Sequence, residues 1–133
     1  INLISTNYFD DISTSLLEIL NFVYLKQNIN GQKKINAQNL DFIEKTGING
    51  VNLDNGISIK WAAEHIQPKC VVQGNLDNTA LITGGKIMEK EAYNILEGFS
   101  KGPHIFNLGH GNLPQTPPEN VLKLVEIVNK WKL

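Results

Sequence analysis

The sequence predicts an α/β fold of about four βα units with parallel strands. Four short runs rich in β-branched or aromatic residues, Phe22 to Leu25, Gly50 to Leu53, Cys70 to Gln73 and His104 to Leu108, are each bounded by Gly, Asn or Asp. Segments with apolar residues at helical spacing lie between them. Each connection is long enough to hold a helix, which is the pattern of repeated right-handed crossovers between parallel strands.

In chain order, Ile12, Leu16, Ile19 and Leu20 form the first helical stripe, followed by the strand Phe22 to Leu25. Gln27 to Gln38, rich in Asn, Gln and Lys, reads as an exposed loop. A short helix over Asn39 to Thr46 stops at Gly47, where a left-handed residue costs little. After the strand Gly50 to Leu53, Ile59, Ala62, Ala63 and Ile66 mark a second helix. The strand Cys70 to Gln73 leads into a turn, Gly74-Asn75-Leu76-Asp77, and then Met88, Ala92, Ile95, Leu96 and Phe99 share one helical face. The strand His104 to Leu108 ends in the turn Gly109-His110-Gly111. For the last helix Thr116 is expected to cap, Pro117 and Pro118 suit the first turn, and Glu119 is placed to return a capping-box bond. Val121, Leu124, Val125 and Val128 form its core stripe, with Trp131 closing it.

Composition narrows the class. The chain has 133 residues, 41% hydrophobic and 19% charged, the content of one ordinary domain able to bury a core. A net charge of -1 without a basic stripe gives no footprint for a polyanion, so no nucleic-acid partner is expected. No apolar run approaches the roughly 20 residues needed to span a bilayer, and the N-terminus lacks the pattern of a signal peptide. The only cysteine, Cys70, lies beside Val71 and Val72, which excludes an internal disulfide and a cysteine metal cluster. A reducing compartment follows; the cytoplasm is expected, with an organelle left open. The chain starts at Ile1 rather than Met, as a processed product or one piece of something longer would. No linker or convincing repeat divides it, so residues 1–133 are read as a single partial domain.

Four βα units make half of an eight-unit barrel. In a barrel or in an open parallel sheet, the site lies at the C-terminal ends of the strands. The turns Gly74 to Asp77 and Gly109 to Gly111 both fall there and are placed to face one another across a pocket. On residue types alone, His110 reads first as a structural histidine in a glycine turn and second as a ligand-facing group. Asn75 and Asp77 read as makers of local turn bonds, with a role at the edge of the pocket as the alternative. An anion nest at Gly109 to Gly111 has little support, because the next helix starts several residues later. His65 and His104 are expected at the surface, and no histidine has metal-ligand spacing, so no metal is predicted. Cys70, Trp61 and Trp131 read as packing residues, and Glu89, Lys90 and Glu91 as solvated charges.

Val72-Gln73-Gly74-Asn75-Leu76-Asp77 and Asn107-Leu108-Gly109-His110-Gly111 through Asn120, in this order, resemble the C-terminal part of the uroporphyrinogen decarboxylase family. Gly47 to Asp54 resembles the family's preceding helix end and strand, so the likeness covers roughly Leu40 to Leu133, and residues 1–39 match poorly. The resemblance implies an eight-stranded (β/α) barrel, the TIM-barrel fold, in a homodimer that needs no cofactor. It implies decarboxylation of the four acetate side chains of uroporphyrinogen to give coproporphyrinogen in heme biosynthesis. The family's cleft histidine carries over to His110 as a catalytic and substrate-binding residue. Gly109 and Gly111 carry over as substrate-binding positions that let the backbone approach closely. A related branch, the corrinoid methyltransferases, binds zinc through a cysteine near this turn, and no cysteine follows Asn107.

The chain departs from the family pattern at Asn78, where proline is usual, at Gln115, where aspartate is common, and across Tyr24 to Gly31. The family's N-terminal arginine-rich loop and pyrrole-binding aspartate have no counterpart among these residues. The same holds for its tyrosine and serine of the middle strands. The expectation is therefore a chain incomplete for catalysis by itself, with open sheet edges that a larger assembly covers. The alternative is a non-catalytic structural or interaction subunit derived from the same family.

Overall fold

A computed structural model of the chain describes residues 3–4, 22–25 and 37–131. The helical stripe expected over Ile12 to Leu20 lies outside them, as does the loop from Gln27 up to its last two residues. Those two open a helix instead.

Strands β1 (Leu3–Ile4), β2 (Phe22–Leu25), β3 (Gly50–Leu53), β4 (Val71–Leu76) and β5 (His104–Leu108) form one sheet in the order β1-β5-β4-β3-β2. β2 through β5 are parallel and adjacent in chain order, as in a barrel segment. β1 was not expected. It pairs antiparallel with the far side of β5, Leu3 opposite Phe106, and so covers an edge that would otherwise be open.

The helices follow the predicted places with three differences. α1 (Ala37–Thr46) starts two residues before Asn39 and ends at Gly47, which takes φ +61 and donates its N–H to Ile43 O at 3.1 Å. α2 (Ile59–His65) is capped by Ser58 and buries Ala62, with Ile66 covered just beyond it. The turn expected over Gly74 to Asp77 is mostly strand, because β4 stays paired with β5 as far as Leu76 opposite Leu108. A short helix then follows, α3 (Asn78–Thr83), capped by the Asp77 carboxylate; its six residues are too few to show a period. α4 (Gly85–Gly98) buries Met88, Ala92, Ile95 and Leu96, with Phe99 covered at its end, the five residues of the predicted face.

α5 (Pro118–Lys130) corrects the sequence at its start. Its N-cap is Pro117, and among the described residues no side chain caps it and the buried Thr116 Oγ1 has no hydrogen-bond partner, so the capping box does not form. The Pro117 carbonyl instead accepts the N–H groups of Asn120 and Val121. Its buried stripe is Leu124, Ile127 and Val128, while Val121 and Val125 are half-buried. α5 packs on α4 and α3.

Alternation gives the sheet two unlike faces. Val51, Leu53, Val72, Leu76 and Phe106 are fully covered and join the helices in one core cluster. The opposite face carries Asn52 beside Gln73 and Asn75 beside Asn107. His104 lies on the helix side and is buried, not at the surface as its place at a strand start suggested. It packs against Phe99 at 4.7 Å between ring centres, and its Nε2–H donates to Gly74 O at 2.7 Å.

Candidate functional site

The C-terminal ends of β3, β4 and β5 lie side by side, and the three loops that leave them interlock. Gly109 donates its N–H to Leu76 O at 2.8 Å, tying the end of β5 to the end of β4. A side chain at Gly109 would run into the backbone of Asn55 in the loop after β3, so only glycine lets the two loops meet. Asn78 Nδ2 donates to Gly111 O at 3.3 Å, joining the start of α3 to the same turn. These bonds put the Gly74 to Asp77 segment and the His110 turn on one shared edge.

His110 projects from that edge with its side chain 44% exposed, and its Nε2 lies 3.0 Å from Asp54 Oδ2. Asp54 is buried, its side chain 9% exposed. Its Oδ1 accepts from Gly56 N–H at 2.9 Å. Its carbonyl accepts from Asn75 Nδ2 at 3.1 Å, and the same amide reaches Ile57 O at 2.9 Å. Asn75 thus holds the turn after β3 rather than making only a local bond.

Asp77 completes the group. Its carboxylate caps α3 through Thr79 N–H and the Thr79 hydroxyl, both at 2.8 Å. Partial burial would raise its pKa. The bonds from Thr79, a further bond from the Asn55 side chain and the nearby His110 outweigh that burial and hold it below the ordinary carboxylate value. His110 therefore stands between two acidic groups, one in contact and one within electrostatic reach. A half-exposed imidazole so placed is suited to hold an anionic ligand or to exchange a proton with it.

Asp54 was missed by the sequence reading, though a signal for it exists. Asn-Leu-Asp-Asn occurs twice, at residues 52–55 and 75–78, and Asn-Leu-Gly-His stands at 107–110. Each copy ends a strand, so the third residue opens a loop at the same end of the sheet, and the two aspartates flank the histidine. Gly111 has open space about it, while Gly109 is fully packed, so the two glycines of the turn do different things. His65 is exposed and bonds to Trp61 O within its own helix. A cavity of about 900 Å³, lined by Asn49, Cys70, Val71 and Pro103 among others, opens at the opposite, N-terminal ends of the strands, away from His110. Among the described residues no group of three side chains is placed to hold a metal ion, and no helix is long and apolar enough to cross a membrane.

Comparison with known proteins bears on what this edge belongs to. The family described as Uroporphyrinogen decarboxylase (URO-D) matches residues 5–131. The chain belongs to the uroporphyrinogen decarboxylase family. The match begins well before Leu40, so it takes in the N-terminal stretch where motifs are sparse. Uroporphyrinogen decarboxylase of Rhodospirillum rubrum is 51% identical over 87 residues, 65% of this chain and 25% of that protein. Those of Ruegeria pomeroyi and Cereibacter sphaeroides are 48% and 49% identical over 89 and 90 residues, 67% of this chain and 26% of each relative. The chain thus aligns with about a quarter of the length of these relatives. The family is a TIM barrel, and β2 through β5 are part of one.

Proposed function

We propose that this chain forms the C-terminal, substrate-facing part of a uroporphyrinogen decarboxylase, in which His110 meets the substrate. The reaction removes the carboxyl groups of the four acetate side chains of uroporphyrinogen and leaves methyl groups, giving coproporphyrinogen. The observation that carries this reading is the half-exposed His110, paired with Asp54 at the C-terminal strand ends, in a member of this family. Loss of carbon dioxide leaves negative charge on the substrate framework and then requires a proton on carbon, so a proton-exchanging group beside the leaving carboxylate is the chemical need. A charged imidazole meets it by donating to the substrate carboxylate and giving a proton to carbon, after which the neutral ring takes a proton back from solvent. Gly111, with open space around it, allows the substrate to approach the backbone. Gly109 serves by letting the β3 and β5 loops meet.

In this reading the remaining positions of the barrel complete the site, a second copy completes the assembly as a dimer, and neither metal nor organic cofactor takes part. His110→Ala in the enzyme that carries this chain is expected to lower decarboxylation by about 10- to 1000-fold, reaching into the range of about 100- to 10,000-fold typical of a positioned acid–base group. Uroporphyrinogen turnover followed by separation of the porphyrins measures it, and unchanged turnover would sink the assignment. The purified 133-residue chain is expected to show no turnover by the same assay. Conversion by that chain would mean that the site needs nothing further.

A further inference from the structure

We propose that Asp54 is a positioning residue that fixes the tautomer and the orientation of the His110 ring. The inference rests on the reading of His110 as ligand-facing and adds an atom-level statement to it. A carboxylate only accepts hydrogen bonds, so the 3.0 Å contact between Asp54 Oδ2 and His110 Nε2 requires the proton on Nε2. The neutral ring is then the Nε2–H tautomer. Nδ1 is an acceptor in the neutral ring and a donor once the ring is charged.

Positioning of this kind requires that the carboxylate itself cannot turn away. Asp54 is held at three points. Oδ1 accepts Gly56 N–H at 2.9 Å, the carbonyl accepts Ile57 N–H at 3.0 Å, and the same carbonyl accepts Asn75 Nδ2 at 3.1 Å. Asn75 is itself buried and bonded also to Ile57 O, so the turn after β3 is anchored to β4. The histidine side is held by the Gly109 N–H bond to Leu76 O and by the packing of Gly109 on Asn55. Acid and base thus come from neighbouring loops whose separation is set by the sheet. A carboxylate that orients a histidine by one ring nitrogen recurs in unrelated enzymes.

The test is the tautomer of His110, read from long-range proton–nitrogen spectra of the ring in the 133-residue chain at a pH where the ring is neutral. The Nε2–H form is expected to dominate in the wild-type chain, and a dominant Nδ1–H form would overturn the proposal whatever any variant does. In Asp54→Asn, an amide that keeps its oxygen on Gly56 N–H presents its NH₂ to Nε2, so the tautomer is expected to invert. An unchanged tautomer in a folded variant, judged by unmoved His104 and His65 signals, also overturns it. Should the variant unfold, the wild-type ring still decides: a free histidine already favours Nε2–H but keeps a detectable Nδ1–H fraction, so loss of that fraction is the expected result and its persistence in His110 would overturn the proposal. Failure of the decarboxylase reading is separate, since it appears as unchanged turnover in His110→Ala and leaves the tautomer as measured.

Discussion

His104 and His110 are six positions apart and have opposite fates, because one lies on the covered face of β5 and the other on the loop beyond it. Burial against Phe99 and the sheet pushes the His104 imidazole down to about 4, although the bond to Gly74 O works the other way. The folded chain therefore keeps this ring neutral where the unfolded chain, with an ordinary value of 6.5, takes a proton. Its contribution to stability is complete above pH 6.5 and is lost as the pH falls toward 4, with a slope approaching about 1.4 kcal/mol per pH unit. Asp77, whose pKa lies below 3.8, keeps its contribution through that window and loses it only at lower pH. Urea midpoints between pH 7 and 4.5 are expected to fall for the wild-type chain. They should fall less for His104→Gln, which keeps a donor for Gly74 O and cannot titrate. Equal slopes in the two chains would show that His104 is not the group responsible. Residue type alone does not distinguish the two histidines. His104 follows Pro103 at the start of a strand, a place that reads as surface, and only the pairing of β5 with β4 turns it beneath the helices.

Among the elements, the junction of α3 with α5 shows where local rules stop. Thr-Pro-Pro-Glu is a strong helix start by composition, and the helix does start there, yet its cap bond is absent. Asn120 supplies a tertiary bond in its place: its Nδ2 donates to Leu81 O at 2.8 Å and Ile82 O at 3.0 Å, two carbonyls in the last turn of α3. A short helix with unpaired terminal carbonyls is thus closed by a side chain nearly forty positions away. Nothing in the periodicity of either segment announces it. Two substitutions separate the local and tertiary accounts. Asn120→Ala leaves both carbonyls without this donor and is expected to cost about 1–3 kcal/mol. Thr116→Val removes a hydroxyl that is buried without a partner, and is expected to be neutral or slightly stabilising. Had the capping box formed, that second change would cost about 1 kcal/mol. Chemical denaturation of both variants decides the matter, and a loss at Thr116 matching the loss at Asn120 would restore the local account.

Across the whole molecule, the parallel order of β2 to β5 was legible because four apolar runs alternate with helical stripes, and few arrangements accommodate that pattern. What short runs do not reveal is which face of the sheet the helices cover. The strings around Val51 and Val72 alternate apolar and polar, and only the pairing of strands collects Asn52, Gln73 and Asn107 on one face and the core on the other. That core is a single contiguous cluster running from Ile43 in α1 to Val128 in α5, so the described residues from α1 to α5 are expected to open together. Cys70 belongs to the same cluster and tests this. It is 8% exposed, and burial raises its thiol to about 11, so little thiolate exists at neutral pH and the sulfur is covered. Modification then has to wait for an opening. If the cluster opens as one unit, alkylation of Cys70 should accelerate with urea along the same slope as unfolding followed by tryptophan fluorescence, since Trp61 and Trp131 pack on that cluster. Labelling that is fast and independent of urea would show that the start of β4 opens on its own, and the sheet would then have a weak end opposite His110.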